Sequence, residues 1–206
     1  MKTRTVVWLI SLNILLCGFI ACQSAAQVNV SVSGSFYLGI GNYYKVPQTQ
    51  VVVVRGRGIP DDELPVVFFI SSRARIRPET VVKLRLGGLS WMAISLRYGL
   101  GPDIYYFPAD DAVLKNPPYG KAYGYYKNKP RRKWKEIVLG DDDIINLVNL
   151  RFVSEHYGYS PAEVVRLRSS GEKFGAIHSE LKGGKTNPEN PKAKERNRDR
   201  SLNAPK

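Results

Sequence analysis

The spacing of apolar residues changes period along the chain. After residue 26 the run "QVNVSVSGSFYLGIGNYY" alternates, with Val28, Val30 and Val32 on one face and Asn29, Ser31 and Ser33 on the other. Gly34 interrupts, and Phe36, Leu38 and Ile40 resume period two. This pattern predicts a β-hairpin or two short strands. "QTQVVVVRGRG" is β-branched and closes on glycines, and it predicts a third strand, paired because a bare valine-rich edge invites aggregation.

From residue 59 the period lengthens to three and four. Asp61, Asp62 and Glu63 put negative charge where a helix N-terminus favours it, Pro65 is tolerated in the first turn, and Val66, Phe69 and Ile70 form a helical stripe. Pro78 starts a second helix with Val81, Val82 and Leu84 as its apolar positions, and Gly87-Gly88 ends it. Ser90 is the expected N-cap of a third helix, in which Trp91, Ile94 and Tyr98 share a face.

The same grammar returns later. Asp141, Asp142 and Asp143 precede "IINLVNLRFVSEHYG", Pro161 opens the next helix, and Gly171 closes it. Phe174, Ile177 and Leu181 stand where Trp91, Ile94 and Tyr98 stood. "PETVVKLRLGGLSWMAI" (78–94) and "PAEVVRLRSSGEKFGAI" (161–177) agree at eight of 17 positions, 83 residues apart. Pro78, Gly88 and Ile94 recur as Pro161, Gly171 and Ile177, Arg85 recurs as Arg168, and Trp91 becomes Phe174. Agreement this dense in one register reads as an internal repeat. The expected fold is therefore α+β, mainly α. Short N-terminal strands (27–58) precede two helical pseudo-repeats (59–100 and 139–181). A Pro/Gly/Tyr-rich basic linker (101–138) joins them, and a basic tail (182–206) without apolar periodicity is expected to be disordered.

The first 26 residues change the compartment. Lys2 and Arg4 precede the apolar run "VVWLISLNILLCGFI" and the small-residue segment "ACQSAAQ", the layout of a secretory signal peptide. The apolar run is short of the roughly 20 residues a spanning helix needs, so the mature chain is expected to have no transmembrane helix. Ser24-Ala25-Ala26 places cleavage before Gln27 and a periplasmic product; "FIAC" resembles a lipobox and would instead lipidate Cys22, giving an outer-membrane lipoprotein. Cys17 and Cys22 both lie in this leader. The exported domain then has no disulfide and no thiol chemistry.

Charge is local rather than diffuse. The formal net charge is +13, but residues 115–135 hold eight Lys/Arg and no acid, and residues 182–206 hold eight against three. The rest is close to neutral. In "YGKAYGYYKNKPRRKWK" (119–135), Lys121, Lys127, Lys129, Arg131, Arg132, Lys133 and Lys135 interleave with Tyr119, Tyr123, Tyr125, Tyr126 and Trp134. Cations attract phosphate or carboxylate, and aromatic faces stack on bases or sugars, so this segment is the candidate site for an anionic ligand. The bland alternative is a solvated loop whose tyrosines cover the helical units.

Catalytic signatures are weak. The two histidines, His156 and His178, form no HExxH motif, and no Gly-Lys-Ser/Thr follows the glycine pairs. The acidic trios at 61–63 and 141–143 read better as helix caps than as cation ligands. No catalytic residue, metal site or cofactor is expected.

"VVKLRLGGLSWMAISLRYGL" resembles the opening helices of helix-turn-helix domains of resolvase and transposase type. That resemblance implies a tight helical corner. It implies DNA reading only if a recognition helix follows. "GLGPDIYYFP" allows about a turn and a half before Pro108, and "KGGKTNPENP" allows none. Specific DNA binding is accordingly disfavoured. The repeat, with G-x-S-W-x-x-I at 88–94, also resembles helical modules in uncharacterised exported proteins of Gram-negative bacteria, which implies export and fold but no activity. The sequence thus points to a non-catalytic exported envelope protein, a scaffold or binder of an anionic polymer or lipid surface. A helix-turn-helix-like nucleic-acid binder is the alternative, and a metal-dependent hydrolase the third reading.

Overall fold

A computed structural model describes residues 24–183. Residues 1–23, which include Cys22 and most of the expected leader, and the basic tail from residue 184 lie outside the described residues.

The described residues are helical and contain no strand, which corrects the expected N-terminal β-hairpin. Helix α1 (Ser24–Tyr44) and helix α2 (Gln48–Gly56) occupy the segment read as strands. The reason is visible from Phe36 onward. Phe36, Tyr37 and Ile40 are buried, and Tyr43 and Tyr44 pack against the core. Those positions follow i, i+1, i+4, i+7 and i+8, one stripe of a 3.6-residue helix. Period two would put Leu38 on the same face, yet Leu38 is 53% exposed. In α2, Val51 and Val54 are buried while Val52 and Val53 are exposed. Burial of an i, i+3 pair outweighs the modest β preference of valine.

Two long helices form the centre. Helix α3 (Leu64–Ala74) is buried from Leu64 through Ser71, and helix α8 (Asp141–Tyr157) is buried from Asp143 through Leu150. A helix apolar on every side needs neighbours on every side. They pack against one another, and α1 lies against both. Gly39 of α1 permits that approach, since a Cβ there would sit 1.7 Å from the Tyr157 hydroxyl.

Each central helix is followed by a corner. Helices α4 (Pro78–Leu86) and α5 (Trp91–Arg97) follow α3. Helices α9 (Pro161–Ser169) and α10 (Phe174–Gly183) follow α8. The prolines start their helices, and Ser90 caps α5 by accepting from the Ala93 N–H at 3.1 Å. Gly88 and Gly171 turn the chain with φ of 89° and 92°, values an L side chain rarely adopts. Between the corners run a 3-10 turn at Pro102–Tyr105, helix α6 (Asp111–Leu114), helix α7 (Gly120–Asn128) and a 3-10 turn at Arg131–Glu136. Among the described residues no helix is long and apolar enough to cross a membrane.

Candidate functional site

The two arginines shared by the sequence stretches are not solvent-facing. Arg85 donates through Nε to Glu63 Oε2 at 2.9 Å and through Nη1 to Asp141 Oδ2 at 2.5 Å. Its Nη1 also meets the Leu89 carbonyl oxygen at 3.3 Å, and its guanidinium lies 4.6 Å from the centre of the Trp91 ring. Asp141 turns its other oxygen to the Trp91 N–H, 2.8 Å away. Burial alone would lower the Arg85 pKa, but its hydrogen bonds to Glu63 and Asp141 and their negative charges outweigh burial and raise it.

The arrangement recurs 83 residues on. Arg168 donates through Nε to Asn146 Oδ1 at 2.9 Å and through Nη1 to the Glu172 carbonyl oxygen at 2.8 Å, with its guanidinium 4.8 Å from the Phe174 ring centre. Asp62 accepts from the Phe174 N–H at 3.1 Å, and its Oδ2 stands 3.9 Å from Arg168 Nη1. Glu63 and Asn146 hold the same place in the two registers. Each corner is thus fastened to the acidic start of the other long helix. The arginine network explains most of the acidic trios. Asp61 accepts from the Tyr37 hydroxyl and Arg55, and Asp143 accepts from the Gly140 N–H at 2.9 Å. Asp142 faces solvent and, among the described residues, makes no side-chain hydrogen bond or ion pair. Among the described residues no group of three or more His, Cys, Asp or Glu side chains is placed to hold a metal ion. The corner that resembles a helix-turn-helix is spent inward: Trp91, Ile94, Phe174 and Ile177 are fully buried.

The basic aromatic segment divides by residue type. Its aromatic rings go inside. Tyr119 is fully buried, and Tyr123, Tyr126 and Trp134 are each less than a tenth exposed. Tyr126 donates to the Pro102 carbonyl oxygen at 2.6 Å, and the Trp134 Nε1–H reaches the carbonyls of Tyr126 (3.1 Å) and Lys129 (3.0 Å). Tyr106 completes a trio with ring centres 4.6 Å from Trp134 and 5.4 Å from Tyr126. Burial pushes the Tyr119 and Tyr126 hydroxyls far above the ordinary phenol range, so both stay neutral. Tyr125 alone of the segment's tyrosines is half-buried. The expected stacking platform is therefore core, and Tyr119, Tyr123 and Tyr126 follow the 4 and 3 spacing of a buried helix face.

The cations go outside. Lys127 is paired with Asp111 at 2.5 Å and Lys129 with Glu136 at 3.9 Å. Lys121, Arg131, Arg132, Lys133 and Lys135 are exposed and make no ion pair among the described residues. Arg131 rests over the Trp134 ring at 5.3 Å, which fixes its stem while leaving its charge in water. Four of these five sit on the 3-10 turn, anchored by Trp134. The site presents charge on a rigid base and can draw phosphate, sulfate or carboxylate groups without reading bases. Sequence reasoning missed Arg85 and Arg168 as cross-links. The available signal was that each unit carries an arginine in the same register and an acidic trio at the start of its long helix. Comparison with protein-family models, curated proteins and solved structures finds no match for this chain.

Proposed function

We propose that this chain is a non-catalytic exported protein of the bacterial envelope that binds an anionic polymer or lipid surface through its α7 segment. The observation that carries this reading is the exposed, unpaired set of Lys121 on α7 and Arg131, Arg132, Lys133 and Lys135 on the following 3-10 turn, whose tryptophan is buried. Stacking by Tyr123 and Trp134 does not enter, because both rings are covered. The contact is charge against charge, so sequence or sugar identity matters little and salt matters greatly. Export supports an envelope ligand: processing before Gln27 would remove Ser24, Ala25 and Ala26 from the start of α1 and leave the rest. The likeness to exported Gram-negative helical modules agrees with this placement.

The test is partitioning of the purified chain onto vesicles of phosphatidylglycerol and phosphatidylcholine, with dextran sulfate as a soluble competitor. Each Lys or Arg at such a surface contributes about 1 kcal/mol. Replacing Arg131, Arg132 and Lys133 by Glu removes three such attractions, worth about a hundredfold together, and adds repulsion, so binding is expected to weaken by well over a hundredfold, and raising salt should weaken the wild type steeply. Binding that survives the triple reversal would rule out this segment as the site. Recovery of the native chain from the cytoplasm with its N-terminus intact would overturn the envelope assignment.

A further inference from the structure

Helices α2 and α4 lie side by side and leave a trough of about 490 Å³ between them. Its floor and walls are aliphatic: Val53, Val54, Val82 and Leu86. Val53 is 48% exposed and Leu86 57%, so much of this apolar surface meets water. Two cations, Arg57 and Lys83, line the same trough, both exposed and neither in an ion pair among the described residues. Its one carboxylate, Glu79, accepts from Gln50 through Oε1 at 3.4 Å, while Oε2 stands 3.6 Å from Arg77 and has no hydrogen-bond partner among the described residues. Its own backbone N–H, with Gln50 and Arg77, lowers its pKa. The trough is therefore polarised. Gln50 and Glu79 close the end where both helices begin, and Arg57 and Gly87 mark the end where both finish.

We propose that this trough binds an anionic single-chain amphiphile, a medium-chain alkyl carboxylate, with its chain along Val53, Val82 and Leu86 and its head between Arg57 and Lys83. Isolated exposed aliphatics are ordinary on a protein surface. Here they share one concavity with two unpaired cations, the combination an amphiphile's two ends require. The volume falls in the range of small-molecule sites. Both flanking helices have nine residues, about 13 Å by helical rise. That length suits a medium-length alkyl chain. The site shares no residue with the basic α7 segment, so either assignment can fail alone.

The experiment is titration calorimetry of the purified chain with octanoate, decanoate and dodecanoate below their micelle concentrations, with decanol as the uncharged control. One-to-one binding is expected, tightening about two- to fourfold per added methylene as apolar surface is covered. Decanol should bind about fivefold more weakly than decanoate. Arg57→Glu with Lys83→Glu should remove that preference, and Val53→Asp should abolish binding. Because Val53, Arg57 and Lys83 are exposed, the variants are expected to melt as the wild type does. Should Val53→Asp fail to fold, the chain-length series and the decanol comparison still decide on the wild type. No heat with any carboxylate, equal affinity for decanol and decanoate, or affinity unchanged in the double reversal would each overturn the proposal. So would a wild-type dimer that Val53→Asp makes monomeric, since a second copy would then fill the trough.

Discussion

Arg85 and Arg168 hold matching places in two related corners, but their acceptors differ in charge. Arg85 faces two carboxylates, Glu63 and Asp141, within hydrogen-bond distance. Arg168 bonds a neutral amide, Asn146, and its nearest carboxylate oxygen is 3.9 Å away on Asp62. Burial of Asp62 raises its pKa, against the lowering pull of Arg168, the Phe174 N–H and Lys173, so its charge is held less firmly than a solvated carboxylate's. Arg85→Met keeps an apolar stem near Trp91 but leaves two part-buried carboxylates without their cation. It should cost about 3 kcal/mol. Arg168→Met leaves one amide oxygen unsatisfied and should cost about 1–2 kcal/mol. Urea unfolding of the two variants measures the difference. Equal costs would mean that packing of the stems on Trp91 and Phe174 dominates, and that the charges contribute little.

At the scale of the element, legibility depended on which residues could distinguish one period from another. Pro78, Pro161, Ser90, Gly88 and Gly171 each encode a local backbone event, and the helix starts, cap and turns they predict are present. The N-terminal segment was misread because Phe36 and Ile40 satisfy both period two and an i, i+4 step. Tyr37 and Tyr43, which fall on the opposite face in period two, separate the two. The basic segment was half legible: its cations are exposed as their solvation demands, while its tyrosines follow a helical spacing that the Pro and Gly content concealed. The trough escaped notice because its first wall, α2, was taken for a strand. The C-terminus of α3 carries a further contrast. Arg75 caps it in the left-handed region at φ 56°, where the second unit has Gly158 at φ 76°. A side chain in that region costs about 1 kcal/mol that glycine avoids. Arg75 is exposed and makes no ion pair or side-chain hydrogen bond among the described residues. Arg75→Gly should therefore stabilise the protein by roughly 0.5–1 kcal/mol, less the added freedom glycine gives the unfolded chain. A rise in the urea midpoint at unchanged slope is the expected reading, and a fall would show that the unfolded-state term wins.

Across the whole molecule, the two units exchange their fastenings. Asp141, at the start of α8, secures the Arg85 corner and the Trp91 N–H. Asp62, before α3, secures the Phe174 N–H, and Asn149 of α8 donates to the Asp62 carbonyl oxygen at 2.7 Å. The central helices pack on one another more than on any other single element. Each unit thus leaves part of its corner's polar groups and a face of its central helix to be completed by the other, even though residues 59–100 include a complete set of three helices. Such a molecule should unfold in one cooperative step despite its two-part sequence. A chain ending at residue 138 should lack stable helix by far-ultraviolet circular dichroism. It loses α8 and with it both a wall of the core and the acid that holds Arg85. Mixing it with a second fragment, residues 139–206, should restore the helical signal, because the missing groups are supplied in trans. A cooperative melt from the first fragment alone would show that the α3–α5 unit is self-sufficient. The exchanged contacts would then be a surface between two independent modules, and the Arg85 network would contribute to their docking and not to their folding.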